Sequence, residues 1–186
     1  MIDHVLSVVR LVCQAPEVWL SVGHMSRHPR LVGHLVHDPD VIFLEDDPGL
    51  DGPVAALVMA LEHAERSGVP WVLATGCDMP MLRLQLLAAM IEAAQEAGPE
   101  TSVIVPRVPG QMGARFEPLH ALYRPSAAAG PMAALARGGQ ASMQRVLGQM
   151  DGVVALDVPE LVQMDPQWQR SLVNINTLGE LEALDD

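Results

Sequence analysis

Ile2, Val5, Val9 and Val12 recur at spacings of three and four residues, which places them on one stripe of a helix over the first dozen residues. Pro16 ends that helix, and Glu17–Val22 then reads as a short buried strand. A second apolar run, Val41–Leu44, stops abruptly at Glu45-Asp46-Asp47. The stretch from Asp47 to Pro53 has loop chemistry, and Pro53 is pre-set for the first position of a helix. That helix runs from Val54 to about Arg66 with Leu57, Val58 and Leu61 on one face, and Gly68 supplies its stop. Trp71–Thr75 is a third buried strand, followed directly by Gly76-Cys77-Asp78-Met79-Pro80.

The second half continues the alternation. Arg83–Ala97, rich in Leu, Ala and Met, is a helix closed by Gly98-Pro99. Ser102–Val105 and Leu119–Tyr123 are strand-like, and the Gly- and Pro-rich Pro109–Gly113 between them suits a hairpin. Pro125–Arg137 and Ser142–Gln149 read as helices, and Val153–Leu156 as another short strand. Thr177–Leu184 is a final helix, with Thr177 as its N-cap and Glu180 completing a capping box. Strands that alternate with helices, without strict two-residue alternation, predict an α/β fold. Its sheet should be mostly parallel and covered by helices on both faces. No repeat, low-complexity tract or linker divides the chain, so one domain over residues 1–186 is expected.

Composition narrows the functional classes. With 186 residues, 49% of them apolar, the chain can bury a substantial core. Eleven basic against 23 acidic side chains give a net charge of −12, which leaves no broad basic surface for a phosphate backbone. Sequence-independent nucleic-acid binding is therefore not expected. No apolar run approaches the roughly 20 residues of a membrane helix. The start Met1-Ile2-Asp3-His4 lacks the features of a secretory signal. Cys13 and Cys77 form neither a disulfide framework nor a zinc pattern. A soluble, cytoplasmic protein is expected.

In open α/β sheets ligands bind beyond the carboxyl ends of the strands, where Asp46, Asp47 and Asp78 lie. A carboxylate there is placed to hold Mg²⁺ against a phosphate, because Mg²⁺ favours one or two carboxylates with water and phosphate oxygens. Each acid on its own reads rather as a solvated loop residue; two strand-end acids bracketing a helix that starts at Gly52-Pro53 bring the binding reading level with it. Gly52-Pro53 opens a helix whose free N–H groups suit either an anion or an ordinary loop junction. Cys77 has no histidine beside it in sequence to activate it, and is expected to be a buried strand-end thiol. His24, His28, His34 and His37 match no compact zinc spacing and are expected to lie in a polar connection. The 11 methionines read as core filling. In the alternating segment Leu172–Thr177, Asn174 and Asn176 share one face, where they can bind a polar heterocycle or clamp a loop.

Taken in order, several strings resemble the molybdenum cofactor guanylyltransferases and their sugar-nucleotide-like relatives. They are Glu45-Asp46, Gly52-Pro53-Val54-Ala55-Ala56, Gly76-Cys77-Asp78-Met79-Pro80, Pro118–Pro125 and Val173-Asn174-Ile175-Asn176-Thr177. The resemblance implies a Rossmann-like three-layer nucleotidyltransferase that joins GTP to molybdopterin-bound molybdenum and releases pyrophosphate. It implies Asp78 as Mg²⁺ ligand and catalytic residue, Asp46 and Ser21 as nucleotide contacts beside Asp78, and Asn174 and Asn176 near the pterin. A relative that uses CTP or another acceptor has the same strings. The family opens with a strand, Leu-Ala-Gly-Gly, Arg-Met-Gly and a Lys, whereas Met1–Val5 here corresponds to the helix that follows. Ser21 and Ala56 stand where relatives carry Asn and Gly. Two alternatives stay open: the strand and glycine loop precede Met1, or this is an inactive relative that binds the cofactor. A sheet lacking its first strand would present open edges, so self-association is also expected.

Overall fold

The structure, a computed structural model, describes residues 2–14, 17–23, 33–111, 113–175, 177, 179 and 180. The apolar stripe of the first residues folds as α1 (Ile2–Cys13), followed by β1 (Val18–Ser21), β2 (Val41–Leu44), α2 (Pro53–Arg66) and β3 (Val72–Thr75). Then come α3 (Leu84–Glu96), β4 (Val103–Gly110), β5 (Gly113–Phe116), β6 (His120–Tyr123), α4 (Pro125–Arg137) and α5 (Met143–Gln149). The chain closes with β7 (Val153–Leu156), α6 (Val158–Met164) and a 3-10 helix, Trp168–Leu172. The expected capping box is formed: Thr177 N–H donates to Glu180 Oε2 at 3.0 Å and Glu180 N–H to Thr177 Oγ1 at 3.2 Å. The rest of that predicted helix lies outside the described residues, as do Pro16, His24, His28 and Asn176.

The strands form two groups. β1 pairs with β2 in parallel, while β3, β6, β4 and β7 lie side by side and β5 pairs with the outer half of β4. Among the described residues no ladder joins β1 to β3. The pairing is mixed. β1–β2 and β4–β7 are parallel, whereas β6 runs antiparallel between β3 and β4 and β5 is antiparallel to β4. Connection length explains the reversals. Two residues separate β4 from β5 and three separate β5 from β6, too few for the crossover that a parallel neighbour requires.

Alternation along the central strands sorts side chains into two cores. Val103, Val105, Ala121 and Tyr123 face α2, α4 and α5, meeting Leu57, Val58, Leu61, Met132 and Leu147. Ile104, Val108, Leu122 and Leu156 face the other way, onto Leu86 and Met90 of α3, Leu161 of α6 and Trp168. Helices thus cover both faces, giving the three-layer α/β arrangement expected. The stripe on α1 ties the two strand groups together. Val5 and Val8 pack with Met79, Leu82 and Leu87, while Leu6 packs with Leu20, Leu35 and Val41.

Candidate active site

Because β1 and β2 are parallel, their carboxyl ends share one edge, and this is where Ser21 and Asp46 meet. Ser21 Oγ donates to Asp46 Oδ1 at 2.5 Å. The backbone reinforces the approach, with Val22 N–H donating to the Leu44 carbonyl at 3.3 Å and Asp46 N–H to the Gly23 carbonyl at 3.4 Å. The neighbouring Asp47 is occupied structurally. Its carboxylate accepts from Gly49 N–H at 2.8 Å and from Arg137 Nη2 at 3.3 Å, and Arg137 also binds Glu62. The Gly49 amide and then the guanidinium hold the Asp47 carboxyl below its ordinary range. Downstream, Gly52 caps α2 with φ of 69°, a conformation that glycine adopts without a Cβ penalty, and Pro53 takes the first helical turn.

Asp78 lies beyond the end of β3. Gly76 N–H donates to the Leu119 carbonyl at 3.2 Å, and Met79 N–H returns to the Gly76 carbonyl at 3.4 Å, closing a turn with Asp78 in its middle. The carboxylate folds back over Gly76, so closely that a Cβ on residue 76 would lie 2.3 Å from Asp78 Oδ1. From the far end of the chain, Ile175 N–H donates to the Asp78 carbonyl at 2.8 Å. That bond brings the exposed Asn174 beside the Asp78 turn, as its place in sequence suggested, while its partner Asn176 falls outside the described residues. Cys77 corrects an expectation: it is exposed, because the turn swings it off the end of β3. Desolvation by its neighbours and then the negative charge of Asp78 raise its thiol pKa, which argues against a nucleophile.

A brace beneath this turn was not foreseen. His120, opposite Thr75 in the β3–β6 ladder, is fully buried, and burial lowers its pKa to about 4. Its Nε2 lies 3.4 Å from Ser171 Oγ, which also accepts the Arg83 backbone N–H at 3.0 Å. The Arg83 side chain reaches Asp165 through both Nε and Nη2, and Asp165 Oδ1 further accepts Gln167 N–H at 2.9 Å. The Arg83 guanidinium keeps the buried Asp165 carboxyl below its ordinary range. Arg83 and Asp165 are 82 positions apart, and no local pattern links them.

Among the described residues, no three His, Cys, Asp or Glu side chains gather as an all-protein metal cage. His34 instead pairs with Asp3 at 2.7 Å. Asp78, a strand-end carboxylate that is only part-buried, is a donor of the type that fits Mg²⁺ carried in with a nucleotide.

Residues 1–154 match the model of the MobA-like NTP transferase domain. The chain belongs to this family. Among similar proteins is the molybdenum cofactor guanylyltransferase of Pseudomonas syringae pv. syringae, 30% identical over 83% of this chain and 64% of its own length. That of Shewanella woodyi is 27% identical over 68% of this chain and 56% of its own length. The chain thus spans less than two thirds of the curated relatives it matches.

Solved structures share the family fold. Molybdopterin-guanine dinucleotide biosynthesis protein A from Archaeoglobus fulgidus superposes with a TM-score of 0.69 at 21% identity, over 97% of this chain and 82% of its own. The 2-C-methyl-D-erythritol 4-phosphate cytidylyltransferase of Thermus thermophilus gives 0.62 at 19% identity, over 98% and 87%. The mixed strand order and two-faced helix cover described above are thus those of an α/β nucleotidyltransferase fold. No described helix is long and apolar enough to cross a membrane.

Proposed function

We propose that this chain transfers GMP from GTP to the molybdopterin-bound molybdenum cofactor, releasing pyrophosphate. The observation that carries the reading is that acids stand at the ends of two strands, β2 and β3. Ser21–Asp46 lies at the end of the small sheet, and Asp78 is folded over Gly76 and tethered to Ile175. The names of the two curated relatives support the choice of nucleotide and acceptor.

In this reading Asp46, oriented by the Ser21 hydroxyl, accepts a hydrogen bond from the nucleoside portion of GTP. Asp78 is the residue that would hold Mg²⁺, which when bound stabilises negative charge on the phosphates. The phosphate of the acceptor attacks the α-phosphorus in line, one P–O bond forms, and the bond to the bridging oxygen breaks. Pyrophosphate leaves with the electron pair. No side chain need become covalently attached, which agrees with the raised thiol pKa of Cys77. Asn174, next to the Ile175 amide that holds the Asp78 carbonyl, contacts the acceptor.

The test is a competition. The protein is incubated with equimolar GTP and CTP, Mg²⁺ and molybdenum cofactor, and the products are identified by mass. A guanine dinucleotide is expected, and Asp46→Ala lowers its yield. A cytosine dinucleotide as main product overturns the guanylyl assignment.

A further inference from the structure

Next to the Asp78 turn, an open cavity of about 460 Å³ lies between the first turn of α1 and the entrance to α3. Its walls include His4, Pro80, Leu82, Arg83, Gln85 and Arg170, and no Asp or Glu among the described residues lines it. In a chain with 23 acidic and 11 basic side chains, this wall gathers two guanidinium groups and an imidazole; Arg83 is paired with the buried Asp165 behind it, and Arg170 carries the charge that is not offset by an ion pair with a described residue. We propose that this cavity is an anion subsite for a phosphate monoester. Given the function proposed above, on which this identity rests, that monoester belongs to the acceptor and not to the nucleotide.

The two arginines hang from one brace. The Arg83 amide donates to Ser171 Oγ at 3.0 Å, and residue 171 follows Arg170 directly. Asp165, buried behind Arg83, takes Nε and Nη2 and fixes the plane of the guanidinium, leaving Nη1 for a ligand. Arg170 is exposed and, like Arg66, Arg124 and Arg145, makes no ion pair with a described residue, but of these four it alone lines this cavity. A fixed planar fork beside an unpaired one suits the several oxygens of a phosphate. Position distinguishes acceptor from nucleotide. The cavity begins at Pro80, two residues past Asp78, and Arg170 precedes by five residues the Ile175 amide that holds the Asp78 carbonyl. The Ser21–Asp46 pair is carried by other strands, and neither residue lines the cavity.

Two measurements test this on the intact protein. Binding of inorganic phosphate, followed by ³¹P line broadening without any reaction, should weaken about tenfold in Arg170→Gln, the loss of one charge-assisted contact. His4→Gln should weaken it by a smaller factor. Both positions are exposed, so the fold is expected to persist, which a melting curve verifies. In the transfer assay Arg170→Gln should raise KM for the acceptor about tenfold and leave KM for GTP unchanged. Unaltered phosphate binding overturns the subsite. Weaker GTP binding with an unchanged acceptor KM overturns the assignment to the acceptor. If no nucleotide is transferred at all, yet phosphate binding still depends on Arg170, the function falls and the anion site stands.

Discussion

Gly76→Ala separates the position of the Asp78 carboxylate from its presence. The backbone at Gly76 is not in the left-handed region, so alanine is conformationally acceptable there. The added methyl would, however, sit 2.3 Å from Asp78 Oδ1, where ordinary contacts begin near 3.4 Å. The carboxylate is the mobile partner, so it must retreat by about 1 Å. A displacement of that size in a group that positions reacting atoms lowers turnover on the order of 10²-fold. Stability should change little, because the lost freedom of the unfolded chain favours alanine by roughly 0.4–1 kcal/mol and offsets the local adjustment. Single-turnover transfer of labelled GMP measures the rate, and urea unfolding measures stability. A rate within threefold of the parent, with an unchanged unfolding curve, would refute the idea that Asp78 acts from the place the structure gives it.

Buried neutral His120 makes stability fall with acid. The unfolded chain protonates this histidine below its ordinary 6.5, the folded chain only near 4, so stability is full above 6.5 and drops as pH falls toward 4. Between pH 7 and pH 5 the parent should lose about 2 kcal/mol more than His120→Gln in paired urea titrations; equal losses would contradict the assignment. Ser21→Ala releases Asp46 and should raise KM for GTP several-fold, about 1 kcal/mol for one hydrogen bond, with kcat and melting temperature nearly unchanged. Leu61, fully buried between α2 and α4, should cost about 2–5 kcal/mol as Leu61→Ala, read from the shift in urea midpoint.

Much of the architecture is legible in the chain because its signals are local. The stripe of α1, the Pro53 start and Gly68 stop of α2, and the Thr177–Glu180 box each need only a few neighbouring residues, and each forms. β5 is different. Gly-Ala-Arg-Phe is exposed over its first three residues, so no apolar alternation marks it. It is held from outside, with Phe116 N–H donating to Gln144 Oε1 at 2.9 Å and Gln144 Nε2 to the Phe116 carbonyl at 2.7 Å. The short α6 buries Leu161 alone, too little periodicity to read beforehand. The same divide runs through the site. Asp46 and Asp78 are visible because strand ends are visible, whereas Ser21, the last residue of β1, is marked only by the family resemblance. The Arg83–Asp165–Ser171–His120 brace exists only once α3, β6 and the C-terminal 3-10 helix have packed, and nothing adjacent in sequence announces it.

The most direct test of the account is the rate of GMP transfer in Asp78→Ala, measured with GTP, Mg²⁺ and molybdenum cofactor on protein whose unfolding curve matches the parent. If Asp78 is the strand-end carboxylate on which nucleotidyl transfer depends, turnover collapses by at least about 10³-fold while the fold persists. A well-folded Asp78→Ala protein that transfers GMP at the parental rate would contradict it.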